Sequence, residues 1–176
     1  MKNIVLFLLI ILTFSCNTDK NSFTADFDNT NDRVWIGKDF WSVPLEDWKV
    51  EDGKLYCAGS IPEARANLLT HLLSPDEGEF RISVKIMLEE KGNVPGSAGL
   101  LIGMYDKEDP DVRAACYFGG GIKAGVSLNG FVFLNGEKTE LPKEFDYSEF
   151  QISVEGNNMA LKMMVADKNK ITASIV

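Results

Sequence analysis

Histidine is almost missing from this chain of 176 residues, which has only His71. A metal enzyme built on several imidazole ligands is therefore excluded. Basic residues are in deficit, with 18 Lys and Arg against 26 Asp and Glu and a net charge of −8. Sequence-independent nucleic-acid binding needs a basic face for phosphate, so that class is set aside. Electrostatic docking on anionic lipid is set aside for the same reason. Cysteine is limited to three residues. The motifs of several enzyme classes are also wanting. There is no Gly-x-Ser-x-Gly elbow for a Ser-His-Asp hydrolase. No Glu-x-Asp-x-Glu triplet places paired carboxylates on one strand face. Residues 119–121 are three consecutive glycines followed by Ile122 and Lys123, which is not Walker spacing. What is present is 45% hydrophobic and 10% aromatic residues, the composition of a globular domain with enough material for a core.

The N-terminus reads as a targeting segment. Residues 4–12 (IVLFLLIIL) form an apolar run behind Lys2, too short to span a bilayer and suited to a signal-peptide core. Ser15-Cys16 follows and resembles the lipobox of bacterial lipoproteins. Cleavage there would remove residues 1–15 and leave Cys16 as a lipid-bearing N-terminus, with residues 16–24 as a polar tether and residues 25–176 as the folded domain. Several acyl chains on one cysteine make a durable anchor. Asn17 stands where an Asp would retain a lipoprotein at the inner membrane of well-studied Gram-negative bacteria, so the expected location is the cell envelope, lipid-anchored at the outer membrane or facing the periplasm. Cys57 and Cys116 remain. In an oxidising compartment they form a candidate disulfide, and as small buried hydrophobes they are equally well explained.

The body of the chain alternates with period two. In residues 79–88, Phe80, Ile82, Val84, Ile86 and Leu88 interleave with Glu79, Arg81, Ser83, Lys85 and Met87, a strand with one face in the core. Residues 149–155 repeat the pattern, and residues 159–166 follow a Gly-Asn-Asn turn. Asn129-Gly130 and Asn135-Gly136 bracket residues 131–134, and Asp52-Gly53 joins residues 48–50 to 55–57. Such pairs are hairpin turn chemistry. Further strands are expected at 34–36, 98–105, 114–119, 123–128 and 171–176. Residues 62–73 carry a capping-box start and helical spacing, yet 67–73 also fit a buried strand, and a strand is expected there. About ten short strands without βαβ alternation indicate an all-β, antiparallel sandwich. The run at 171–176 reads as an unfinished strand, consistent with the front part of a longer protein.

Aromatic residues concentrate at Trp35, Phe40, Trp41 and Trp48. Such rings serve either as core or as a platform for stacking sugar rings. Trp41 is the residue best placed for the second role, because it precedes the loop at 42–44. Asp26, Asp28 and Asp32 alternate in a spacing that can wrap calcium. However, Asn31 and Gly37 stand where an EF-hand loop needs Gly and Glu, and a solvated loop explains the acids equally. The acidic run at 106–111 reads as an inter-strand turn.

Two longer patterns carry a family resemblance. The first is Asp32-Arg33-Val34-Trp35-Ile36-Gly37, followed by Asp39-Phe40-Trp41, Glu46-Asp47-Trp48 and Asp52-Gly53-Lys54-Leu55. The second is residues 96–103 (GSAGLLIG), then Tyr117-Phe118-Gly119 and residues 121–125 (GIKAG). Together, over about residues 27–135, they resemble the N-terminal region of secreted bacterial phosphodiesterases of the alkaline phosphatase D type. More broadly the chain is similar to concanavalin A-like jelly rolls, including laminin-G-like and 3-keto-glycoside hydrolase-like lipoproteins of Bacteroidetes. The first resemblance implies that catalysis belongs to a downstream metallophosphatase domain whose two metals need several His and Asp ligands. One histidine cannot supply that set, so no catalytic residue and no cofactor is carried over. The expectation is a non-catalytic ligand-binding or accessory module with carbohydrate as the first ligand class. A sugar-processing jelly-roll enzyme and a structural spacer are the alternatives.

Overall fold

Alternating apolar residues need a second apolar surface to cover them, and in this chain two sheets supply it to each other. The computed structural model describes residues 22–28, 30–59, 62–73, 78–89, 95–109, 111–118, 120–157, 160–168 and 170–175. The expected leader and the lipid-bearing Cys16 lie outside the described residues. In chain order the elements are β1 (Phe40–Val43), a 3-10 turn (Leu45–Asp47), β2 (Trp48–Glu51), β3 (Lys54–Cys57), β4 (Arg65–Leu68), β5 (Phe80–Met87) and β6 (Ser97–Tyr105). They continue with α1 (Val112–Phe118), β7 (Gly120–Ser127), β8 (Phe131–Leu134), β9 (Glu137–Glu140), β10 (Glu149–Gly156), β11 (Leu161–Asp167) and β12 (Lys170–Ile175).

One four-stranded sheet has the order β6-β7-β8-β9 and the other β12-β11-β10-β5. All pairings are antiparallel. Their inner faces share one core. Ile102, Ala124, Val126, Val132 and Leu134 come from the first sheet. Phe150, Ile152, Val154, Met163, Val165 and Ile175 come from the second. The expected all-β antiparallel sandwich is thus the observed architecture. The alternation of β5 places Phe80, Ile82, Val84 and Ile86 against this core and Arg81, Ser83 and Lys85 on the outer face. The outer edge strand β9 is exposed along its whole length and carries Glu137, Lys138 and Glu140, a charged edge that discourages pairing with another chain.

Turn chemistry sets the hairpins. Asp52 and Gly53 both have positive φ (47° and 70°), as do Asn135 and Gly136 (49° and 93°). A two-residue turn with both φ values positive matches the strand twist. Asn129-Gly130 behaves differently. Ser127 pairs with Phe131, leaving a three-residue loop with only Gly130 at positive φ (89°).

Two two-stranded sheets, β1-β4 and β2-β3, accompany the sandwich. Here the structure corrects several expectations. Residues 34–36 make no strand. A single bridge, Arg33 to Val50, anchors them, and only Ile36 is buried. The segment 67–73 is a strand only through Leu68. After Leu69 donates to the Asp39 carbonyl at 2.9 Å the chain leaves the sheet, with Leu72 and Leu73 exposed. Residues 114–118 of the strand expected at 114–119 belong to helix α1, and residue 119 lies outside the described residues. Asp111 caps the helix, since its carboxylate accepts the Arg113 N–H at 2.8 Å and its carbonyl accepts the Ala115 N–H at 3.2 Å. A capping Asp followed by two alanines outweighs the strand preference of Cys116, Tyr117 and Phe118. β1 ends at a Pro, and residues 42–43, expected in a loop, belong to it.

Candidate functional site

A hollow of about 420 Å³ lies between β1 and α1. That is within the size range of small-ligand sites. It is an open cleft rather than an enclosed cavity. Its position follows from two local arrangements. In β1-β4, Trp41 pairs with Asn67 and Val43 with Arg65, so these four residues share one face of the ribbon. The Asn67 side-chain amide donates to the Trp41 carbonyl at 2.9 Å and fixes the strand that carries the indole. In α1, Arg113 and Tyr117, and likewise Ala114 and Phe118, are four positions apart and form one face. That face lines the cleft, while Ala115 and Cys116 turn inward and are buried. The small Ala114 leaves room between the rings.

The cleft is therefore walled by three aromatic side chains, Trp41, Tyr117 and Phe118. Tyr117 is 57% and Phe118 75% exposed, and their rings meet edge to face with centroids 4.7 Å apart. Large rings held this openly beside a hollow present their faces to solvent and to whatever enters. The polar rim is made by Asp109, Asp111 and Arg113. Arg113 Nε lies 3.0 and 3.1 Å from the two oxygens of Asp111. This contact holds the Asp111 carboxyl down to about 2. A carboxyl ionised at every physiological pH cannot donate a proton to a leaving group, the role that needs a raised value. Asp109 accepts the Asp111 N–H at 2.9 Å, and Asp106 accepts the N–H groups of Glu108 and Asp109. The acidic run is thus a succession of side-chain-capped turns leading into the helix. Arg65 ties the two walls together: its guanidinium donates to the Tyr117 carbonyl at 3.4 Å, and its buried Nε has no hydrogen-bond partner among the described residues.

The three candidate tryptophans do not share a site. Trp41 alone lines the cleft. Trp35 is 57% exposed on the bend after Arg33, whose guanidinium carbon lies 5.9 Å from the indole centroid. It is not core. Trp48 on β2 is half-buried, and its indole N–H is buried without a hydrogen-bond partner among the described residues. Phe40 packs edge-on against Phe23. The candidate calcium ligands separate into local roles. Asp26 accepts the Asp28 N–H at 2.9 Å, Asp32 accepts the Asp52 N–H at 3.0 Å, and no group of three His, Cys, Asp or Glu among the described residues is arranged to hold a metal. Cys57 and Cys116, the candidate disulfide, are both free thiols, Cys57 exposed on β3 and Cys116 buried on α1.

A second hollow of about 290 Å³ lies on the outer face of the β12-β11-β10-β5 sheet. Glu149 is the one carboxylate that lines it, and it is paired with Lys85 at 2.7 Å. Glycoside hydrolysis by a carboxylate pair therefore has no second partner there. Among the described residues no helix is long and apolar enough to cross a membrane. No family model, curated protein or solved structure matches this chain.

Proposed function

We propose that this chain is a non-catalytic, carbohydrate-binding module, a concanavalin A-like sandwich held at the cell envelope by lipid on Cys16. The observation that supports this reading is the set of exposed Tyr117 and Phe118 rings opposite Trp41 across an open cleft of about 420 Å³. A pyranose ring presents a sheet of C–H groups on one face and hydroxyls at its rim. Aromatic faces cover the first, and carboxylate and guanidinium groups bond the second. The fixed charge state of Asp111 fits recognition better than proton transfer. Chemistry on the ligand is assigned to a downstream metallophosphatase domain, with this module supplying attachment.

The test is titration of the full chain with a panel of neutral oligosaccharides, followed by tryptophan fluorescence. The expected result is saturable quenching that is lost in Phe118→Ala, a substitution at an exposed ring that leaves the core alone. Silence across the panel overturns the reading, and turnover of a glycoside by the purified chain replaces it with the sugar-processing alternative. Release of the Cys16→Ser variant from the membrane fraction tests the anchor separately.

A further inference from the structure

Where the chain leaves β4, two leucines stand open to solvent. Leu72 is 72% and Leu73 41% exposed, and Thr70 and His71 before them are exposed as well. From Leu68 to Leu73 there is no Asp, Glu, Lys or Arg. The segment that follows Cys16 ends against this stretch. The Phe23 ring lies with its centroid 5.2 Å from that of His71 and 5.8 Å from that of Phe40, and Phe27 adds a contact to Phe40 at 6.1 Å. These contacts fix the segment to the domain at Phe23. Cys16 stands seven positions earlier, so even a fully extended chain spans no more than about 25 Å between the two. Acyl chains on Cys16 hold that residue at the bilayer surface. The leucines beside Phe23 are thereby kept within reach of lipid, and a contact made through so short a link forms at high effective concentration. Charge does not supply the contact, since the chain carries −8 overall. On the flanking segments, Asp39 pairs with Lys38 at 2.8 Å and the Asp26 carboxylate accepts the Asp28 N–H at 2.9 Å. Apolar side chains exposed beside a membrane anchor lower their free energy by leaving water for the headgroup boundary.

Resting on the lipid anchor at Cys16 proposed above, we infer that Leu72 and Leu73 form a membrane-docking surface. They enter the headgroup boundary of a neutral phospholipid leaflet beside the acyl chains of Cys16. The anchor supplies attachment, and the two leucines decide which face of the domain meets the bilayer.

The experiment compares amide hydrogen exchange, corrected for intrinsic rates, in three preparations. The first is the lipid-bearing protein in phosphatidylcholine vesicles. The second is its Leu72→Ser/Leu73→Ser variant in the same vesicles. The third is the mature chain from residue 16 with Cys16→Ser, which carries no lipid, free in solution. Peptides covering residues 69–73 are expected to exchange about tenfold more slowly in the vesicle-bound protein than in the free chain. Peptides covering the exposed edge strand β9 should exchange alike in both. The double variant is expected to float with the vesicles and to exchange over 69–73 at the free-chain rate, because serine at two exposed positions removes the apolar contact and leaves the core alone. Flotation of the unsubstituted protein without slowing at 69–73 overturns the docking surface and leaves the anchor in place. Slowing in the free chain that grows with protein concentration assigns this face to a second copy and overturns the docking surface as well. Failure of the unsubstituted protein to float overturns the anchor, and the docking surface with it.

Discussion

Arg65 and Tyr117 are separated by 52 positions, yet the Arg65 guanidinium donates to the Tyr117 carbonyl at 3.4 Å. This bond joins β4 to the last turn of α1, where helix carbonyls have no partner within the helix. Arg65→Ala removes it, at a local cost on the order of 1 kcal/mol. The expected outcome is faster amide hydrogen exchange confined to residues 112–118, with the sandwich strands unchanged. Weaker ligand quenching should accompany it, because the aromatic wall moves with the helix. Uniform loss of protection across β10 and β11 would show instead that Arg65 supports the global fold.

Gly99 and Gly125 face each other across β6 and β7. A Cβ on Gly99 would run into the Ala124 carbonyl oxygen and lie 2.6 Å from Gly125 Cα. A Cβ on Gly125 would lie 2.6 Å from the Ala98 oxygen and 2.7 Å from the Phe133 ring. The obstruction at Gly99 is backbone and cannot rotate away. Gly99→Ala is therefore expected to destabilise the fold by about 1–3 kcal/mol, the range for overpacking. Glu140→Ala on the exposed edge strand β9 should stay within about 0.5 kcal/mol. Denaturant midpoints compared at equal slope check both.

These cases show what the sequence carries locally and what it does not. The alternation in β5 was legible to within a residue, because every second side chain meets the core. The Asp52-Gly53 and Asn135-Gly136 turns were legible because their backbone needs residues tolerant of positive φ. Helix α1 was not, since Cys116, Tyr117 and Phe118 favour strands and the decisive cap at Asp111 sits in an acidic run that also makes an ordinary turn. That error hid half of the candidate site. In a strand, adjacent Tyr117 and Phe118 point to opposite faces, whereas the helix brings both to the cleft. Trp41 stands out in the sequence only through a loop expected at 42–44, whereas residues 42–43 continue β1, and its partner strand β4 lies within a segment of helical spacing. The pairing of Trp41 with Asn67 depends on contacts 26 positions apart, which no local pattern reports.

Asp146 provides a pH test. Its carboxylate accepts from the Ser148 hydroxyl at 2.6 Å and the Ser148 N–H at 3.0 Å, and Lys168 lies 3.2 Å away. The hydrogen bonds from Ser148, followed by that from Lys168, hold the carboxyl down to about 2 from an ordinary 3.8. A carboxyl lowered by folding stabilises the folded state fully above its unfolded value. The contribution is lost as pH falls from about 4 towards 2. Asp111, lowered mainly by Arg113, acts in the same window. The denaturant midpoint should therefore drop between those pH values, and Asp146→Asn should make the drop shallower. An unaltered profile in the variant would remove Asp146 from the acid response.

The two thiols should react in a fixed order. Cys57 is exposed with its Sγ 4.0 Å from the Gly59 carbonyl, while Cys116 is buried on the inner side of α1. Desolvation pushes both thiols above their ordinary value, so neither is activated and access decides the rate. Alkylation followed by peptide mapping should label Cys57 first. Cys116 should follow about a hundredfold more slowly, because labelling waits for α1 to lift from β6. Arg65→Ala should speed Cys116 selectively, since it removes the bond that holds the helix end. Equal rates at the two positions would mean that α1 is already open. Recovery of a bond between Cys57 and Cys116 from unreduced protein would require β3 and α1 to lie closer than their free thiols indicate.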